Sequence, residues 1–219
     1  MSNKNNRGIG LRGLDLFQAM YIVGLAFGLQ EISRALYTNF RSVAGSGTST
    51  GMAAANSLLF ISIILLIVRF FWSTGNIRRA MNRDGPVLSE KTKRMVLMIH
   101  LPILLLQGTL VLFVCLAYVE WIETRTGAYN VIGWFMAATA LNTAWLWSLT
   151  RGREAGEPES LWMRNNLIFV FIVLIAMPVA NVENIPEASL LLVFSAVSLV
   201  SSGYDLYKTA AVYIADLGR

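Results

Sequence analysis

Four serines and an aspartate near the carboxyl end of the chain recur at intervals of three and four residues. A helix would place them along one stripe, with the acid at its foot: Ser195, Ser198, Ser201, Ser202 and Asp205. Hydroxyl groups beside a carboxylate can line a cation-attracting pore, as rings of carboxylates do in channels. The same spacing also suits close helix packing, with each hydroxyl bonded to its own helix backbone. We predict pore lining and keep packing as the alternative.

Four further polar residues interrupt apolar segments: Arg69, His100, Gln107 and Asn142. Such groups are costly at membrane depth and usually face a cavity, a pore or a polar partner. Arg69 either pairs with Asp205 or extends its guanidinium to water at the membrane boundary. His100 either relays protons, since imidazole titrates near neutral pH, or bonds a neighbouring polar group. We predict that all four are intramembrane polar sites.

Enzyme chemistry receives little support from the sequence. Residues 47–51 match the G-x-S-x-G pattern of serine hydrolases. They are predicted in an outer loop, however, whereas the single histidine, His100, is predicted near the inner face of the membrane. Ser201 or Ser202 with His100 remains possible as an intramembrane nucleophile and base, without any oxyanion signature beside them. One histidine and one cysteine make no metal or haem ligand set. We expect no catalytic residue, no metal site and no cofactor.

Membrane-spanning helices must position these side chains. Hydrophobic residues make up 55% of the chain and charged residues 14%, and the mean hydropathy is +0.56, outside the ordinary soluble range. A helix of about 20 apolar residues covers the hydrocarbon core of a bilayer. We predict an all-α polytopic integral membrane protein, one transmembrane domain over residues 1–219, with six spans at roughly 14–34, 52–72, 95–119, 130–150, 165–182 and 188–207.

The distribution of basic residues orients the six spans. If both termini are cytoplasmic, 14 of the 18 Lys and Arg residues lie inside, on the head, the tail and the segments 74–94 and 151–164. Short cytoplasmic loops accumulate Lys and Arg, so this orientation is preferred. We therefore predict cytoplasmic N- and C-termini and a multi-pass protein of the plasma membrane, the bacterial inner membrane.

The basic inner segments predict a second kind of site. An anionic cytosolic ligand, either a nucleotide or an oligonucleotide, or an anionic lipid is expected to bind basic side chains of the head and of the 74–94 basic cytoplasmic loop: Arg7, Arg12, Arg78, Arg79, Arg83, Lys91, Lys93 and Arg94. Solvated loops beside anionic lipid explain the same charges without a specific ligand.

Three functions are compatible with this pattern. The first is an ion channel or pore, self-associated as a homo-oligomer because six short helices enclose little alone, and gated by the anionic ligand. Gly24 and Gly28 have the small-xxx-small spacing of close helix contacts. The alternatives are an intramembrane Ser/His hydrolase and a non-catalytic membrane subunit of a larger complex.

In its organisation, and without any shared motif, the chain resembles small multi-span effectors of bacterial defence operons. Such effectors permeabilise the inner membrane when a partner signals infection. A nucleotidyltransferase or sensor gene next to the gene of this chain would support a ligand-gated membrane effector.

Overall fold

The computed structural model describes residues 22–38, 50–83, 98–99, 101–151 and 157–217. The chain forms six α-helices there: α1 at 22–38, α2 at Thr50–Arg83, α3 at Leu101–Thr124, α4 at Ala128–Arg151, α5 at Glu157–Val182 and α6 at Glu187–Leu217. These described ranges contain no strand, which confirms the all-α prediction.

Four of the helices are long and apolar enough to cross a membrane by length and composition. The qualifying segments are Met52–Arg69, Pro102–Thr124, Ser160–Val182 and Glu187–Ala210, in α2, α3, α5 and α6. Large apolar side chains on their outer faces are exposed, including Phe171 at 65% and Val200 at 74%. Soluble monomers rarely display extended apolar surface of this kind, so these faces are suited to lipid.

Two tight turns join helices into hairpins. After α5, the Asn184 N–H donates to Asn181 O over 3.3 Å and the Ile185 N–H to Ala180 O over 2.9 Å. This is the Schellman pattern, and Asn184 takes its left-handed position with φ of 52°. Between α3 and α4, Arg125 and Gly127 also have positive φ, 62° and 89°. We call the end of the bundle that holds these two turns the hairpin end.

Helices α2 and α6 run parallel and in register. The Ser62 hydroxyl donates to Ser195 O over 3.2 Å, and Arg69 donates to the Ser202 hydroxyl over 3.5 Å. Both numbers rise by seven between the two contacts, as in two parallel helices that keep one face together over two turns. The contacts lead away from the hairpin end towards Asp205, and we call that opposite end the Asp205 end.

The other described contacts fix the remaining directions. The carboxylate of Glu187, at the start of α6, accepts from the Ala128 N–H at the start of α4 over 2.8 Å, so α4 and α6 are parallel. Helix α1 runs parallel to α3, because Gly28 lies against Cys115 while Thr38 shares a cavity with Arg125. The six helices therefore alternate in direction along the chain.

Aromatic side chains from three helices form the centre of the core. The rings of Phe135, Phe169 and Phe194 lie with centroids 5.2 to 6.1 Å apart, and all three are buried. Aromatic pairs at such separations contribute about 0.5–1.5 kcal/mol beyond their buried area. This contact ties α4, α5 and α6 together between the two ends.

Close packing of α1 on α3 yields a first prediction. A Cβ added at Gly28 would lie 3.1 Å from the Cys115 Sγ, whereas one added at Gly24 would meet nothing within 4 Å. Gly28→Leu is therefore expected to lower the free energy of unfolding by about 1–3 kcal/mol through overpacking. Thermal unfolding in detergent measures it, with Gly24→Leu as the matched control. Equal effects of the two substitutions would show that α1 does not pack on α3 through Gly28.

Candidate functional site

A buried ion pair joins α2 and α6 near the Asp205 end. The guanidinium of Arg69 contacts the carboxylate of Asp205 through Nη2 and Oδ2, and the two residues are 5% and 0% exposed. Charges removed from water in this way cost several kcal/mol each unless they are paired and hydrogen-bonded. The prediction that Arg69 pairs with Asp205 is therefore confirmed. The alternative, in which the Arg69 guanidinium extends to water at the membrane boundary, does not apply.

Arg69 also has partners on α5 and α6. Its Nη2 donates to Asn166 Oδ1, and its Nη1 donates to the Ser202 hydroxyl over 3.5 Å. The indole ring of Trp162 lies 5.8 Å from the Arg69 Cζ, within the range of a cation–π contact. A planar guanidinium can make all these contacts at once because its donors point in fixed, separate directions.

Asp205 is held from α5 by an amide. The Asn165 Nδ2 donates to Asp205 Oδ1 over 2.7 Å, and it also lies 2.9 Å from Ser201 O and 3.0 Å from the Ser201 hydroxyl. We call this set the Arg69–Asp205 cluster: Arg69, Trp162, Asn165, Asn166, Ser201, Ser202 and Asp205. It connects α2, α5 and α6 through an ion pair, hydrogen bonds and a cation–π contact.

The serine stripe of α6 lies inside the packing of its own chain. Ser195, Ser198 and Ser202 are at most 2% exposed, and Ser201 is half-buried. The Ser195 hydroxyl donates to Leu191 O over 2.7 Å, and its backbone oxygen accepts from Ser62 of α2. The buried part of the stripe therefore belongs to the α2–α6 interface, which we call the α2–α6 seam.

Near the ion pair, the buried side chains of α5 and α6 include two polar atoms that have no hydrogen-bond partner among the described residues. They are the Asn166 Nδ2 and the Ser198 hydroxyl. Buried polar groups usually have a hydrogen-bond partner, so these two atoms are exceptions. One lies on α6 in the α2–α6 seam and the other on α5 beside the Arg69–Asp205 cluster.

Gln107 and Asn142 form a separate polar contact between α3 and α4. The Gln107 Nε2 donates to Asn142 Oδ1 over 3.4 Å, and both residues are buried. Asn142 lies beside Thr139 and Thr143, which are also buried. These polar side chains lie in α4, which is not among the four helices that meet the membrane criterion.

Several predicted site residues lie outside the part of the chain that the structure describes. His100 is one, and the predicted ligand-binding residues Arg7, Arg12, Lys91, Lys93 and Arg94 are the others. Arg78, Arg79 and Arg83 belong to α2, which continues without a break from Thr50. The Ser–His hydrolase pair and the anionic ligand site therefore stay predictions.

Metal chemistry finds no ligand cluster in the described residues. Among them, no group of three or more His, Cys, Asp or Glu side chains is placed to hold a metal ion. Cys115 is buried beside Gly28, where it acts as a small packing residue.

Sequence reasoning missed one polar contact near the hairpin end. Asn56 of α2 accepts from the Tyr118 hydroxyl at its backbone oxygen over 2.6 Å and from the Trp121 Nε1 at its side chain over 3.1 Å. Asparagine in an apolar segment was a usable signal, but its partners depend on how α2 meets α3.

Asn56→Leu is expected to lower the free energy of unfolding by about 1–3 kcal/mol, because the buried Trp121 N–H loses its acceptor. Thermal unfolding followed by tryptophan fluorescence measures the loss. The neighbouring Ser57→Ala is the control, since that hydroxyl bonds only to its own helix at Ala53 O. An unchanged free energy of unfolding for Asn56→Leu would show that the hydrogen bond from Trp121 to Asn56 does not stabilise the fold.

Fold and site together define an all-helical protein with apolar helices of membrane-crossing length, tied at one end by a buried ion-pair cluster. Comparisons of the chain with protein-family models, with curated proteins and with solved structures find no match.

Proposed function

We propose that the chain is a multi-pass ion channel in which the Arg69–Asp205 cluster is the closed gate. The observation that carries this proposal is the buried ion pair between α2 and α6, bonded to α5 through Asn165 and Asn166. Ionisable groups inside membrane helices mark ion and proton pathways more often than they serve packing.

Six membrane crossings are supported by the alternating directions of the helices. Helix α4 is 24 residues long, which corresponds to about 36 Å and exceeds the roughly 30 Å of a hydrocarbon core. Its polar residues Thr139, Asn142 and Thr143, near the middle of the helix, are buried and do not face lipid. With the basic segments inside, the Asp205 end is cytoplasmic and the hairpin end is external, in the plasma membrane of a bacterium.

Polar side chains extend the proposed pathway along the α2–α6 seam. Above the ion pair lie the hydroxyls of Ser62, Ser195 and Ser198, all buried. Apolar residues of similar volume would stabilise such a seam at least as well as a buried ion pair does. A pathway explains why polar groups occupy it.

Burial of the stripe favours a pathway inside each subunit. Ser195 and Ser202 contact α2 of the same chain, and Ser198 between them is also buried, which favours a position away from the axis of an oligomer. Self-association remains part of the proposal as a packing of complete subunits, which the particle mass in mild detergent measures.

The continuity of α2 links the gate to the predicted ligand site. Arg78 lies nine residues beyond Arg69 on one helix, about 14 Å along its axis. An anionic cytosolic ligand at Arg78, Arg79 and Arg83 would act on the helix that carries the gate arginine, and it would open the gate if it binds the open state more tightly. Action as a bacterial defence effector stays a prediction within this proposal.

Planar-bilayer recording of the purified chain tests the proposal. We expect discrete ion currents that are infrequent at rest and that increase when an anionic nucleotide or oligonucleotide is added on the side of the Asp205 end. Silence across salts, pH steps and a panel of such ligands would end the channel proposal.

A second candidate function, a non-catalytic subunit of a larger complex, is favoured by a groove between α4 and α5. It encloses about 370 Å³ and is lined mainly by apolar side chains, among them Ala140, Ala144, Trp147 and Leu167. A helix of a partner protein would bury these residues. Purification in mild detergent distinguishes the two, because a stoichiometric companion protein supports the subunit and its absence supports the channel.

A further inference from the structure

A polar cavity lies at the hairpin end, far from the Arg69–Asp205 cluster. It encloses about 650 Å³ between α1, α3 and the turn after α3, within the range of roughly 300–1,000 Å³ typical of small-ligand sites. Four charged side chains line it: Glu31, Arg34, Glu123 and Arg125. Neither the proposed channel nor the predicted cytosolic ligand uses this cavity.

The cavity is lined by charged side chains of both signs. Glu31, Arg34 and Glu123 are exposed, and among the described residues these three side chains form no ion pair. Two carboxylates can hold a cationic group, and guanidiniums bind phosphate through paired N–H donors. A ligand that carries an ammonium and a phosphate together complements this lining better than a purely anionic one.

The position of the cavity indicates the source of that ligand. It lies at the ends of α1 and α3, where a membrane-crossing helix leaves the hydrocarbon for the headgroup layer. One turn deeper, Phe27 of α1 and Leu116 of α3 are exposed at 63% and 49% and are suited to acyl chains. The buried wall of the cavity, Ala35 and Ile122, is also apolar.

We propose that this cavity binds the headgroup of a zwitterionic phospholipid, phosphatidylethanolamine, from the outer leaflet. Glu31 and Glu123 receive the ammonium, and Arg34 with Arg125 receives the phosphate. The bound lipid connects α1 to α3 at the hairpin end.

Native mass spectrometry of the full chain in detergent tests the proposal. The chain is mixed with equal amounts of palmitoyl-oleoyl phosphatidylethanolamine and phosphatidylglycerol, and bound lipid is counted by mass. We expect about a fivefold preference for phosphatidylethanolamine, the effect of one exposed charge-assisted contact. The double substitution Glu31→Gln with Glu123→Gln is expected to abolish the preference, and Arg34→Gln to weaken binding of both lipids.

Glu120→Gln is the matched control, because Glu120 is an exposed acid on α3 that does not line the cavity. It is expected to keep the full preference. Equal binding of the two lipids by the unaltered chain would overturn the proposal, as would a preference that survives the double substitution. Displacement of the lipid by an equal concentration of glycerophosphoethanolamine, which has no acyl chains, would overturn the assignment to a lipid.

Discussion

Arg69→Gln is expected to raise the resting cation flux through reconstituted vesicles by about tenfold or more. Removing one partner of a buried ion pair typically costs 3–5 kcal/mol, and here that loss falls on the closed state. A tenfold change in a two-state equilibrium needs only about 1.4 kcal/mol. Even if only part of the lost stability separates the closed state from the open state, the open fraction is expected to rise measurably. Asp205 then remains as an uncompensated carboxylate, which favours cations over anions.

Flux is measured with a potassium-sensitive dye in vesicles that contain equal amounts of protein. Arg164→Gln is the matched control, since Arg164 is an exposed arginine on α5 within one turn of Asn165. A single symmetric elution peak in size-exclusion chromatography shows that the variant is folded. If Arg69→Gln leaks no more than Arg164→Gln, the ion pair is not a gate.

Asp205→Leu is expected to lower the free energy of unfolding by about 3–5 kcal/mol, because it leaves the Arg69 charge buried without its carboxylate. The loss is measured by reversible unfolding in mixed detergent micelles, followed by circular dichroism. Glu120→Leu, an exposed acid replaced in the same way, is expected to stay within about 0.5 kcal/mol of the unaltered chain.

The double variant Arg69→Met with Asp205→Leu separates stability from function. Apolar residues of similar size often replace a buried ion pair without net loss, so the double variant is expected to be more stable than Asp205→Leu alone. It is also expected to have lost ligand-dependent opening, since no charge pair remains to be broken. A double variant that is no more stable than the single one would mean that Arg69 and Asp205 do not interact.

Much of the fold was predictable because long runs of apolar residues in a sequence indicate membrane-crossing helices. The segments around Leu59, Val114, Val173 and Leu191 contain few charges, and each lies in a helix long and apolar enough to cross a membrane. Helix α4 is also predicted as a helix from the sequence. Thr139, Asn142 and Thr143 lower its apolar content because they are polar, and all three are buried in the bundle. Six crossings remain part of the proposed function.

The site was predictable in its residue types and only partly in its contacts. Depth along each predicted helix placed Arg69 and Asp205 at the same level, and the expected pairing was found. Depth does not determine which way a helix face points, so the sequence could not tell that Ser195 contacts α2 of the same chain and that Ser198 is buried. The contacts of Arg69 with Asn166 and Trp162 could not be predicted, because they depend on the packing of α5 against α2.

A cross-link across the α2–α6 seam tests the central claim most directly. The Ser62 hydroxyl lies 3.2 Å from Ser195 O, so cysteines at these two positions can be joined by a short thiol-reactive reagent. They are introduced together with Cys115→Ala and Arg69→Gln, and the current is recorded in a planar bilayer before and after the cross-link forms. Cation current is expected to be present before cross-linking, to disappear when α2 and α6 are joined, and to return when a cleavable cross-link is reduced. Current that persists unchanged across the cross-linked seam, or its absence in every state, would contradict a pathway closed by Arg69 and Asp205.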